Sequence, residues 1–126
     1  MKLTPVLFVD QIEPSLPFWV DRLGFEKTVE VPDGDRLGFV ILAREGVEAM
    51  LQTWESLRKD TPSLVPAGRT TGASLFIEVD DFNDALHRVA GCNIVVPERA
   101  TFYGMREIGV REPGGRMVVL AARTEA

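Results

Sequence analysis

The chain has 126 residues, 45% hydrophobic and 26% charged, with 14 basic against 19 acidic side chains and a net charge of −5. These proportions suit one globular domain with its own core and exclude disorder and collagen-like repeats, while the acidity argues against nucleic acid, whose phosphates require surplus Lys and Arg. Cys92 and His87 are each alone, which excludes an intrachain disulfide, a thiolate cluster and any site needing two histidines of one chain, including the two-histidine iron triad and the usual zinc hydrolase sites.

In chain order, residues 3–9 form a short apolar run ended by Asp10, which predicts a buried strand. No long apolar stretch follows a basic segment here, and no run nears bilayer length, so the expectation is a cytoplasmic protein with no membrane partner. Ile12, Leu16, Trp19, Val20 and Leu23 recur at helical spacing and Gly24 supplies the stop; Pro14 and Pro17 fit only in a first turn, so the helix proper begins near one of them. Residues 25–31, 37–43 and 47–53 read as strands, turning at Pro32-Asp33-Gly34-Asp35 and at Glu45-Gly46. Residues 54–71, with Pro62, Pro66 and Gly68, form a connector with one helical turn expected at 55–59. Strands follow at 74–79, 93–96, 105–111 and 117–121, with a helical stripe of Phe82, Ala85, Leu86, Val89 and Ala90 after the first of them.

The second half repeats the first. A shift of 70 residues places Val79-Asp80 on Val9-Asp10, Phe82 on Ile12 and Leu86 on Leu16, and a shift of 69 aligns Glu45-Gly46 with Gly114-Gly115. Two copies of βαβββ result, covering about 3–53 and 72–122 around the connector, within a single domain over 1–126. The fold class is α+β.

Paired βαβββ modules are the plan of the vicinal oxygen chelate (VOC) superfamily of glyoxalase I, extradiol dioxygenases, and fosfomycin- and bleomycin-resistance proteins. Phe18-Trp19-Val20-Asp21-Arg22-Leu23-Gly24-Phe25 resembles the first-helix signature of its glyoxalase/bleomycin-resistance branch, and the stretch Arg106 to Gly115 resembles its closing hairpin. The resemblance spans 3–122 and implies two half-open sheets of eight strands curled around a shared cavity, usually in a homodimer. It also implies four metal-ligand positions, which fall on Thr4, Met50 (or Leu51, if the register slips by one), Ser74 and Val119. Hydroxyl, thioether and aliphatic side chains are not competent ligands for Fe²⁺, Mn²⁺ or Ni²⁺, so no metal and no other cofactor is expected.

The metal-free, bleomycin-resistance-like branch binds a ligand noncovalently with aromatic rings and carboxylates. Period-two alternation puts Thr4, Val6 and Phe8 on one strand face, Ser74, Phe76 and Glu78 on another, and Met50 and Gln52 on a third that runs on to Trp54. Phe39 and Tyr103 align near the stacking aromatics of the resistance proteins. The candidate ligand-binding residues are therefore Thr4, Phe8, Phe39, Met50, Gln52, Trp54, Ser74, Phe76, Glu78 and Tyr103; the competing structural roles are core packing for the phenylalanines and an Arg salt bridge for Glu78. Glu107, alternating with Arg106 and Ile108, is expected at the surface or a dimer edge. The leading reading is a dimeric protein that sequesters an aromatic or cationic small molecule. The alternatives are a glyoxalase-like lyase or isomerase using Glu78 as base, and an accessory dimer whose cavity is filled by side chains.

Overall fold

One short apolar strand, an interrupted helix and three alternating strands make up the first half of the chain. The computed structural model describes residues 2–65 and 73–124, and the chain divides into two units, Met1–Thr70 and Thr71–Ala126. In the first, β1 (Val6–Val9) leads through a 3₁₀ turn, Glu13–Ser15, and a π-helix, Pro17–Arg22, to β2 (Glu26–Asp33), β3 (Arg36–Arg44) and β4 (Val47–Thr53). The single helix expected here is split because Pro14 and Pro17 each open a separate piece; neither can donate an N–H inside a continuous helix. The apolar stripe survives the break. Ile12, Phe18, Trp19 and Leu23 are buried, with the Trp19 ring edge-on to Phe18 and Phe25 at 5.4 and 5.3 Å.

The strand order is β1-β4-β3-β2, with β1 parallel to β4 and the remaining pairs antiparallel. Leu7, Val9, Val40, Leu42, Ala49 and Leu51 are buried on one face, while Val6, Phe8, Phe39, Ile41, Met50 and Gln52 on the other are less covered. The β3–β4 hairpin turns through Glu45 and Gly46 at φ +49° and +81°, the left-handed pair of a two-residue type I′ turn. Thr53 ends β4 and also caps α1 (Trp54–Asp60), its Oγ1 accepting the Ser56 N–H at 3.0 Å. This helix is longer than the single turn expected in the connector, whose residues 66–72 lie outside the described part.

In the second unit β5 (Leu75–Glu78), α2 (Phe82–Arg88), β6 (Asn93–Ala100), β7 (Met105–Arg111) and β8 (Met117–Arg123) form a sheet of order β5-β8-β7-β6. Again the first strand runs parallel to the last. Val6 pairs with Met50 and Phe76 with Val119, so the structural repeat carries the same offsets of 70 and 69 as the sequence repeat. Asp81 caps α2 by accepting the Asp84 N–H at 3.0 Å, and α2 buries Phe82 and Ala85 as it packs on β7 and β8. Gly109 is required by strand proximity, since a Cβ there would meet the Val96 Cβ at 3.0 Å. The fold is α+β, built from two repeated modules with a four-stranded mixed sheet in each. Among the described residues no helix is long and apolar enough to cross a membrane.

Candidate ligand-binding site

Cross-strand register sorts the open face of the first sheet into two rows, Val6–Met50–Ile41–Val29 and Phe8–Gln52–Phe39–Val31. Neighbours in such a row stand about 5 Å apart and share one face. Gln52 is the one polar side chain of the eight, and its Nε2 donates to Ser56 Oγ at 3.2 Å. Trp54, at the start of α1, stacks at a tilt on Phe8 with ring centroids 5.2 Å apart. The structure thus brings Phe8, Phe39, Met50, Gln52 and Trp54 into one patch. Thr4 lies just before β1, beside the Met50 N–H that donates to the Pro5 carbonyl at 2.9 Å. Of the two alternatives for the second metal-equivalent position, Leu51 is fully buried on the opposite face and Met50 lies on the open one. Sequence reasoning missed Val29, Val31 and Ile41, although alternation along the second and third predicted strands would have indicated them.

The second sheet differs in kind. Its rows are Phe76–Val119–Gly109–Val96 and Glu78–Ala121–Glu107–Arg99. Phe76 is 54% exposed, and Ser74, just before β5, is exposed as well. Glu78 is exposed, with Arg123 Nε at 3.9 Å, too loose for a hydrogen bond.

Glu107 corrects the sequence expectation. Placed by alternation at the surface, it is only 3% exposed, because this part of β7 is covered on both faces and both Ile108 and Ala121 beside it are buried. Arg99 donates to Glu107 Oε1 from Nε at 2.8 Å and from Nη2 at 2.5 Å, and the Tyr103 hydroxyl donates to Oε2 at 2.8 Å. The Tyr103 hydrogen bond, followed by the Arg99 guanidinium, holds the Glu107 carboxyl below the ordinary range. The Glu107 acceptor in turn pushes the Tyr103 phenol above its ordinary value. The sequence signal for this cluster is an Arg eight residues before the Glu across a short loop, with a Tyr between them.

The four metal-equivalent positions lie on these faces or just before them, Thr4 and Met50 in the first unit, Ser74 and Val119 in the second. Two hydroxyls, a thioether and an isopropyl group do not make a donor set for a divalent ion. Glu107, a buried carboxylate of the second sheet, is already committed to Arg99 and Tyr103. Among the described residues no group of three or more His, Cys, Asp or Glu side chains is arranged to hold a metal. The residues present do not fit the ion.

Two modules of one strand plan define a paired βαβββ protein. The chain belongs to the Glyoxalase/Bleomycin resistance protein/Dioxygenase superfamily, whose family model matches residues 3–120. Solved structures of the same fold include TioX from Micromonospora sp. ML1, 19% identical with a TM-score of 0.81 and 98% of each chain covered. A glyoxalase/bleomycin resistance protein/dioxygenase from Nocardioides is 20% identical, with a TM-score of 0.73 over 100% of this chain and 85% of its own. Lactoylglutathione lyase from Agrobacterium tumefaciens is 16% identical, with a TM-score of 0.74 over 97% and 92%. No curated protein matches the chain.

Proposed function

We propose that the protein is a metal-independent small-molecule-binding member of its superfamily, of the bleomycin-resistance-like kind, that sequesters a planar aromatic or cationic ligand. The observation that carries this reading is the open face of the first sheet. Seven apolar side chains surround the single amide of Gln52, and the Phe8–Trp54 ring pair borders them. A partly covered apolar face of this kind favours an aromatic occupant, which gains burial and ring contacts while the amide selects orientation. Side chains at Thr4, Met50, Ser74 and Val119 that are poor donors for a divalent ion support a metal-independent reading. In the second unit, taken by itself, Glu78 is a half-exposed carboxylate open to a cationic group. A homodimer and antibiotic resistance are parts of the same proposal.

Trp54 provides the test. Titration of bleomycin and a panel of planar aromatic cations is expected to change tryptophan emission saturably, and Trp54→Phe is expected to abolish the change, because Trp19 is buried in the core. No heat and no emission change across the panel would overturn the reading. Sedimentation is expected to give twice the 14.0 kDa chain mass. The second reading is a glyoxalase-like lyase or isomerase with Glu78 as base, favoured by the exposure of that carboxylate. It requires turnover that Glu78→Gln abolishes.

A further inference from the structure

We infer that Gln52 sets the specificity of the first-sheet face: held at its amide nitrogen by Ser56, it offers its carbonyl oxygen to the N–H or O–H of a planar aromatic ligand. This deepens the binding reading above and rests on it. All the residues concerned belong to the first unit. Gln52 is the cross-strand partner of Phe8 on β1 and of Phe39 on β3, so two phenylalanines flank it on the sheet. No charged side chain stands in either row of this face, so its polar contact is a hydrogen bond and not an ion pair. The Gln52 Nε2 donates to Ser56 Oγ at 3.2 Å, and among the described residues no donor meets Oε1. An amide oxygen accepts and never donates, so the group that completes it must carry a proton. Apolar neighbours strengthen such a bond, and they make the acceptor costly to leave unpaired once a ligand has displaced its water.

The oxygen becomes the presented end through the way α1 leaves β4. Thr53 Oγ1 accepts the Ser56 N–H at 3.0 Å, which fixes the first turn of the helix. A Cβ at Gly38 would meet the Asp33 Cβ at 2.9 Å and the Ser56 Cβ at 3.3 Å, so a glycine on β3 lets the serine come down to the sheet. Lys59, further along α1, pairs with Asp33 at 2.8 Å and ties the helix to the end of β2. An untethered glutamine amide turns over and offers either end. One held at nitrogen offers its oxygen, and its rotor freedom is given up before the ligand arrives. Phe8 and Trp54, with ring centroids 5.2 Å apart, stand beside it and favour a flat occupant. The class that fits is a fused aromatic with a ring N–H or a phenolic O–H at its rim.

Acridone, N-methylacridone and acridine separate this contact from shape. The first carries a ring N–H, the second has it replaced by a methyl group, and the third presents its ring nitrogen as an acceptor. Titration followed by ligand fluorescence at neutral pH is expected to show acridone bound about fivefold tighter than either of the others. In Gln52→Leu that preference is expected to vanish as the three affinities draw together. Ser56→Ala leaves the backbone cap from Thr53 in place and frees the amide to turn. There acridine is expected to gain while acridone loses, a shift that a merely structural role would not produce. Equal binding of acridone and N-methylacridone to the wild type, or tightest binding of acridine, overturns the hydrogen-bond assignment with no variant needed. A preference kept in Gln52→Leu overturns the role of Gln52, and one unchanged in Ser56→Ala overturns the tether. If none of the three binds, the binding reading itself falls; binding of all three without preference leaves that reading standing and overturns this one.

Discussion

At the scale of single residues, the buried carboxylate of Glu107 and the backbone-bound carboxylate of Glu13 are both held below the ordinary range and so contribute to behaviour in acid. Glu13 Oε2 accepts the Leu37 N–H at 2.8 Å, which holds its pKa below the ordinary value, as Tyr103 and Arg99 do for Glu107. A carboxyl whose folded pKa is depressed contributes stability that is fully present above its unfolded value, 4.5 here, and is lost as pH falls through the folded value. Glu107→Gln is therefore expected to lower stability by about 1–3 kcal/mol at neutral pH and to flatten the decline below the ordinary carboxylate range. Urea unfolding at a series of pH values measures both effects. A Gln variant that keeps the full acid limb would place the acid sensitivity elsewhere, with Glu13 the next residue to replace.

At the scale of elements, the two faces of β4 make opposite predictions for adjacent residues. Leu51 is fully buried, so Leu51→Ala is expected to cost about 2–5 kcal/mol. Met50, on the open face, is expected to cost less than half as much, and chemical denaturation of the two variants compares them directly. Thr53→Ala removes the cap of α1 and is expected to cost about 1 kcal/mol, with Thr53→Asp recovering most of it. β3 and β4 were legible because each alternates over a half-covered sheet, β7 was placed residue for residue, and the turn at Glu45-Gly46 followed from its glycine, whereas β6, exposed along nearly all its length, runs on to Ala100 past the expected 93–96. The first helix was legible as a stripe and not as a geometry, since two prolines divide it while its buried side chains stay where the spacing put them. In the candidate site, Phe8 and Gln52 followed from period-two reading, Phe39 from the family resemblance, and Val31 from neither. Glu107 did not, because alternation assigns a face to a side chain and cannot tell that both faces are covered at that point.

At the scale of the whole chain, the repeat is preserved in backbone and divergent in chemistry. Equivalent rows read Phe8–Gln52–Phe39–Val31 in one module and Glu78–Ala121–Glu107–Arg99 in the other, so one plan carries a mainly apolar row in one module and a mainly charged row in the other. On the proposed metal-independent reading, and because the described residues hold no group of three or more His, Cys, Asp or Glu side chains arranged for a metal, dialysis against a chelator is expected to leave the thermal midpoint unchanged, and Mn²⁺, Ni²⁺ or Zn²⁺ at saturating concentration is expected not to raise it. A ligand that binds only the folded state would raise it, so a metal-dependent shift would contradict the donor chemistry at Thr4, Met50, Ser74 and Val119.

The parallel pairing of β1 with β4 and of β5 with β8 also sets a timetable. Val6 meets Met50 and Phe76 meets Val119, so the first strand of each module finds its in-sheet neighbour among the described residues more than forty residues later. The three antiparallel strands between can zip locally, but closing the long loop that brings in the first strand has to follow, and non-local closures of this kind are slow. During synthesis, β1 leaves the ribosome as an unpaired apolar ribbon and stays so until β4 has emerged. The first strand to be made in each module is thus the last to be sheltered, and during that interval the nascent chain is most open to the wrong neighbour.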